Sequence, residues 1–120
     1  MALPQRKIGH NGRFIGAIGL GCMSFGGIYG AADDDVSLET LVNARKAGID
    51  FWDTANIYGI GHCETIIGRY LEGAADDVVI ATKASIVPGP ERRFRNDEDH
   101  LRSELEASLK RLGRDRVELF

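Results

Sequence analysis

The chain has little cysteine, two in 120 residues, and those two form no CxxC pair. Unclustered cysteines of this kind point to reduced thiols in a cytoplasmic protein rather than to a disulfide. Long apolar runs are missing as well. None approaches the ~20 residues that span a bilayer. The start, Met1-Ala2-Leu3-Pro4-Gln5-Arg6-Lys7, has no apolar stretch of the kind a secretory signal needs. Excess charge is also lacking. A formal net charge of -3 gives no reason to expect nucleic acid or an anionic membrane surface as a partner. No internal repeat, low-complexity tract or interdomain linker stands out. With 43% hydrophobic and 28% charged residues, the composition is that of an ordinary soluble globular chain.

What is present is organised around residues 49–59, Ile-Asp-Phe-Trp-Asp-Thr-Ala-Asn-Ile-Tyr-Gly. The stretch begins as a short apolar run, long enough for one buried strand. Asp53 stands at its end, and a carboxylate there is costly to bury without a partner. The next apolar run, 78–83, ends on Lys83 and supplies that partner. Tyr58 hangs in the loop between them. This trio suits proton chemistry. A free tyrosine has a pKa of roughly 10, too high for an efficient acid near neutrality. A lysine ammonium nearby favours the phenolate, and a carboxylate keeps that lysine charged and oriented. The alternative is a structural Asp–Lys pair beside a packed tyrosine.

The remaining segments read as a hairpin followed by strand–helix repeats. Asn11-Gly12 lies between short mixed strands, and Asn-Gly is the preferred pair for a type I′ turn over 6–15. His10 beside it is expected in solvent. Residues 17–21 read as a strand that Gly19 and Gly21 open to close backbone approach. Asp33-Asp34-Asp35 precedes a helix over 36–47, with Leu38, Leu41, Val42 and Arg45 along one face. The acids read as a helix cap rather than a metal site. A second helix is expected over 64–72. His62 and Cys63 at its start lack the further ligands that zinc requires. The run 78–83 is apolar throughout until its end, as in a parallel strand covered on both faces. Pro88-Gly89-Pro90 and the basic run Arg92-Arg93-Phe94-Arg95 form a long loop, which on this face shapes access to a site. Asn96 or Asp97 caps a third helix with Leu101, Leu105, Leu109 and Leu112 on one side. His100 is expected on its surface. Residues 116–120 begin a further strand. The repeat of strand, helix and strand argues for βαβ units.

Asp53-Thr54-Ala55, Tyr58-Gly59, Gly61, Glu64 and then Thr82-Lys83 together resemble the aldo-keto reductase signature. Gly19-Leu20-Gly21-Cys22-Met23 resembles that family's first-strand end, and Ser108-Leu109-Lys110-Arg111-Leu112-Gly113 the end of its third barrel helix. The resemblance implies an α/β fold, the N-terminal part of a (β/α)8 TIM barrel closed at the bottom by the hairpin. Residues 1–120 would then be one domain portion with three βα units and the start of strand 4. A barrel takes roughly 250 residues, so the rest would lie beyond, and 1–120 alone would be inactive. A catalytic His is expected within a few residues after Phe120. The family more often has Asp where Glu118 stands and Tyr where Phe120 stands. The implied activity is reduction of a small aldehyde or ketone by NADPH. Tyr58 would act as general acid, Lys83 would tune it, and Asp53 would hold Lys83 and approach the nicotinamide ribose. Cys22 and Met23 would touch the cofactor, largely through backbone. A second branch with the same residues, resembling potassium channel β subunits, binds the cofactor and acts mainly as a partner and redox sensor.

Overall fold

The computed structural model describes residues 2–73 and 77–120. It opens with a hairpin in which β1 (Gln5–Lys7) pairs antiparallel with β2 (Phe14–Gly16), Lys7 opposite Phe14. The turn is not the expected Asn-Gly one. Gly9 takes the left-handed conformation at φ 61°, and neither Asn11 nor Gly12 does. The register leaves residues 8–13 as a wider connection, closed where Ile8 N donates to Arg13 O at 3.0 Å. His10 is exposed there.

The first parallel strand is shorter than expected. Ala17 N donates back to Pro4 O, and the chain bends at 17–18 before β3 (Leu20–Gly21). Next comes a short 3₁₀ helix, Met23–Gly26, and then α1 (Asp34–Lys46). Asp33 caps α1 by accepting from Val36 N at 3.1 Å. The buried face centres on Ser37, Leu41 and Ala44. Val42, expected on that face, stands one residue off it and is exposed.

Then follow β4 (Phe51–Asp53), α2 (His62–Glu72) and β5 (Val79–Ala81). Strands β3, β4 and β5 form one parallel sheet in that order, with Leu20, Trp52 and Ile80 in register. Leu41, Trp52, Ile66, Ile67, Ile80 and Leu112 form the core between sheet and helices. Trp52 donates from Nε1 to Ile49 O at 3.2 Å and packs edge-on to Tyr70, ring centroids 5.1 Å apart.

The long loop after Lys83 contains a second hairpin, β6 (Ile86–Val87) with β7 (Arg93–Phe94), turning through Pro88-Gly89-Pro90. Asp97 caps α3 (Glu98–Leu112), accepting from His100 N at 3.1 Å. His100 is buried rather than on the surface. The first turn of α3 packs on the segment after Lys83, and His100 Nε2 lies 2.9 Å from Ala84 O. A carbonyl only accepts, so Nε2 carries the hydrogen.

Residues 116–120 form a single parallel bridge, Ala81 to Leu119, instead of an extended strand. Ile80 N donates to Glu118 Oε2 at 2.8 Å, so a side-chain carboxylate stands where a ladder would use a backbone carbonyl. Among the described residues no helix is long and apolar enough to cross a membrane.

Candidate active site

Because β4 and β5 are parallel and in register, their C-terminal ends open on one face. Asp53 ends β4 and Lys83 follows β5, which brings the two side chains together. Lys83 Nζ donates to Asp53 Oδ1 at 2.7 Å, to Thr54 O at 2.8 Å and to Tyr58 OH at 3.3 Å. An ammonium has three donor hydrogens and no acceptor. These bonds engage all of them, and the Tyr58 oxygen must accept. The phenolic hydrogen is therefore left for another partner. Nζ also lies 4.9 Å from the Tyr58 ring centroid, within cation–π range. The expected trio is thus one cluster.

Burial on its own would lower the Lys83 pKa. Its hydrogen bonds with Asp53 and Tyr58, and the Asp53 charge, outweigh that and raise it. The lysine beside the phenol is a cation. The pair is not buried, contrary to the expectation from strand position. Within residues 1–120 the Asp53 and Lys83 side chains are 44% and 49% exposed.

Tyr58 is placed by its loop. Asn56 N donates to Lys83 O at 3.0 Å, and Cys63 N donates to Tyr58 O at 3.3 Å. Gly26 approaches so closely that a Cβ there would lie 2.6 Å from Gly59 N. Just after Tyr58, Gly59, Ile60 and Gly61 all have positive φ, Ile60 at 50°.

Two concavities meet at Met23 and Tyr58. One, of about 270 Å³, is lined by Gly21, Cys22, Met23, Asp53 and Tyr58. Cys22 lies in its floor and is wholly buried, with its N donating to Asp53 O at 2.9 Å. Burial above all, then Cys63 and Asp53, pushes the Cys22 thiol pKa far up, so it stays uncharged. Asp53 Oδ2 has no partner among the described residues, and space beside Gly21 is open to 4 Å. An open wall, a free carboxylate oxygen and an adjacent cation fit the ribose end of a nicotinamide cofactor. The other concavity, about 390 Å³, has Ile28, Ile57, Ile86 and Pro88 in its wall, with Arg92 from the basic run. The Arg92 guanidinium sits 6.0 Å over the Phe94 ring.

The sequence reading named Glu64, Thr82 and Arg111 as motif residues but did not join them. Glu64 is wholly buried and accepts from Thr82 Oγ1 and from Arg111. The available signal was an acid on the apolar face of α2, in line with Ile67 and Gly68. His62 Nε2 lies 2.8 Å from Asp34 Oδ1, and Arg69 donates to Asp34 Oδ2 at 3.3 Å. Asp34 therefore ties α1 to α2 besides standing in the first turn. Among the described residues no group of three or more His, Cys, Asp or Glu could hold a metal.

The aldo/keto reductase family model matches residues 17–120. The whole chain is 35% identical to the aldo-keto reductase yakc [NADP(+)] of Schizosaccharomyces pombe, over 36% of that protein's length. It spans the same 36% share of the aldo-keto reductase str7 of Strobilurus tenacellus, at 38% identity. A glycerol dehydrogenase of Gluconobacter oxydans superposes with TM-score 0.75 at 30% identity, covering 94% of this chain and 36% of that one. The holo form of an aldo-keto reductase from Bacillus halodurans, at 24% identity, shares the fold with TM-score 0.85 over 96% of this chain and 38% of that one.

Proposed function

The chain belongs to the aldo-keto reductase family, and we propose that it forms the N-terminal part of one barrel domain that reduces aldehydes or ketones to alcohols with NADPH. The observation that carries this reading is the Lys83 ammonium, bonded at once to Asp53, Thr54 and Tyr58. It leaves the phenolic hydrogen as the donor for a carbonyl oxygen at the junction of the two concavities.

NADPH, when bound, supplies a hydride to the carbonyl carbon. Gly21, Met23 and the free oxygen of Asp53 would hold its ribose end, with Cys22 beneath. Tyr58 gives its proton to the oxygen as charge develops there. The Lys83 cation next to the phenol stabilises the phenolate that remains. Ile28, Ile57 and Ile86 favour an apolar carbonyl substrate and keep water from its body. The NADP(+) in the name of the fission-yeast relative supports the phosphorylated cofactor. Two free, buried thiols, Cys22 and Cys63, suit a reducing, cytoplasmic setting.

The test is a steady-state assay of the full-length gene product with NADPH and a reactive aldehyde. Turnover lost in Tyr58→Phe supports the reading. Cofactor binding with no turnover would favour a regulatory subunit instead.

A further inference from the structure

We propose that Glu64 is a positioning residue for this reaction, acting through the Thr82 hydroxyl to fix the strand end from which Lys83 reaches Tyr58. This rests on the reading above of Tyr58 and Lys83.

Glu64 is 0% exposed. A lone carboxylate there would be very costly. Arg111, reaching over from α3, neutralises it, with Nε at 2.9 Å and Nη2 at 2.8 Å from Oε1. Nη2 also donates to Ser108 Oγ at 3.2 Å. The other carboxylate oxygen, Oε2, accepts from Thr82 Oγ1 at 2.8 Å, and Thr82 is itself 2% exposed. Helix α2 leaves room for Arg111. A Cβ at Gly61 would lie 2.9 Å from Arg111 Cδ, and one at Gly68 would collide with Arg111 O.

Stability alone does not explain this arrangement. A buried ion pair is often no better than apolar side chains of similar volume. What the carboxylate does, and an apolar group cannot, is orient one hydroxyl. Thr82 directly precedes Lys83, and successive residues at a strand end point to opposite faces. Thr82 therefore reaches toward the helices while Lys83 reaches toward the site. The Thr82 backbone is held too, its N donating to Leu119 O at 3.1 Å. Lys83 Nζ to Tyr58 OH, at 3.3 Å, is the longest of the three ammonium bonds and the first that a shift of the strand end would break. The charged or titratable groups concerned are Asp53 and Tyr58 facing Lys83, with Cys22 below, and Arg111 facing Glu64, beside Cys63.

The experiment uses the full-length gene product with Thr82→Val and Thr82→Ser. Thr82→Val should lower kcat by roughly 10-fold, since displacement of a supporting group by a fraction of an ångström has effects of that size. The KM for NADPH should stay within about 2-fold, and the pH midpoint above which reduction falls off should move up. Thr82→Ser should restore kcat and the pH midpoint. If Thr82→Val lowers only the melting temperature, with wild-type kcat and pH profile, the positioning role is overturned. Should Thr82→Val fail to fold, Thr82→Ala, which also removes the hydroxyl that Glu64 Oε2 accepts from, is read in the same way. If the wild type does not reduce carbonyls, the proposed function fails by itself. The positioning claim is then decided by crystal structures of wild type and Thr82→Val: the separation of Lys83 Nζ from Tyr58 OH must lengthen, and an unchanged one overturns it.

Discussion

Lys83 is bonded to Asp53 at 2.7 Å although the two side chains are 49% and 44% open to solvent. The contact places a charge more than it holds the fold together. Exposed pairs contribute little to stability because water screens them and ordering two side chains costs entropy.

Replacing Lys83 by Met should therefore slow reduction strongly while costing at most about 1 kcal/mol of stability. The pKa of Lys83 is raised in the folded protein. Its stabilising contribution is then complete below the ordinary lysine value and is lost as pH rises through the higher folded value. Denaturant unfolding of wild type and Lys83→Met should differ by the same small amount at neutral and mildly alkaline pH, and converge only in strong alkali.

Tyr58→Phe keeps the ring and removes the proton. The expected loss in kcat is about 10² or more, with the NADPH dissociation constant little changed. Near-wild-type turnover would remove Tyr58 from the role of general acid.

Neither cysteine should behave as a reactive thiol. Burial, then Glu64, pushes Cys63 up to about 11, and Cys22 is shifted further the same way. Iodoacetamide at neutral pH should leave both unmodified in the native protein and alkylate both in urea, as read by mass spectrometry. Native alkylation of either would contradict the packing described.

Ile60 is β-branched, 74% exposed and left-handed at φ 50°. It loses little packing if replaced and carries backbone strain. Ile60→Asn, a residue that tolerates this conformation, should raise unfolding stability by roughly 0.5–1 kcal/mol. A lower melting temperature would mean that the side chain makes contacts that matter.

Much of this protein is legible in its residues one segment at a time. Asp33 and Asp97 announce their helices because a side-chain oxygen beside unpaired N–H groups is a local device. Gly113 ends α3 for an equally local reason, the left-handed turn at φ 65°. The apolar run that closes on Lys83 and the stretch that closes on Asp53 mark two parallel strands, and parallel strands in register place their ends side by side. Hence the meeting of Asp53 and Lys83 was legible in the sequence, while the contact with Tyr58 depended on its loop.

Tertiary structure decided what depends on neighbours distant in sequence. The width of the first turn followed from the pairing of β1 with β2, not from Asn-Gly. His100 lies inward where Ala84 offers a carbonyl, and the strand expected over 116–120 is one bridge in which the Glu118 carboxylate, not a backbone carbonyl, accepts from Ile80 N. The exposure of Asp53 and the burial of Glu64 are the sharpest contrast. Both are acids beside apolar residues, and although helical spacing sets Glu64 on the apolar face of α2, it does not say which group partners it. Desolvation and the position of Lys83 or Arg111 decide that, and those are properties of packed elements, absent from any single stretch of chain.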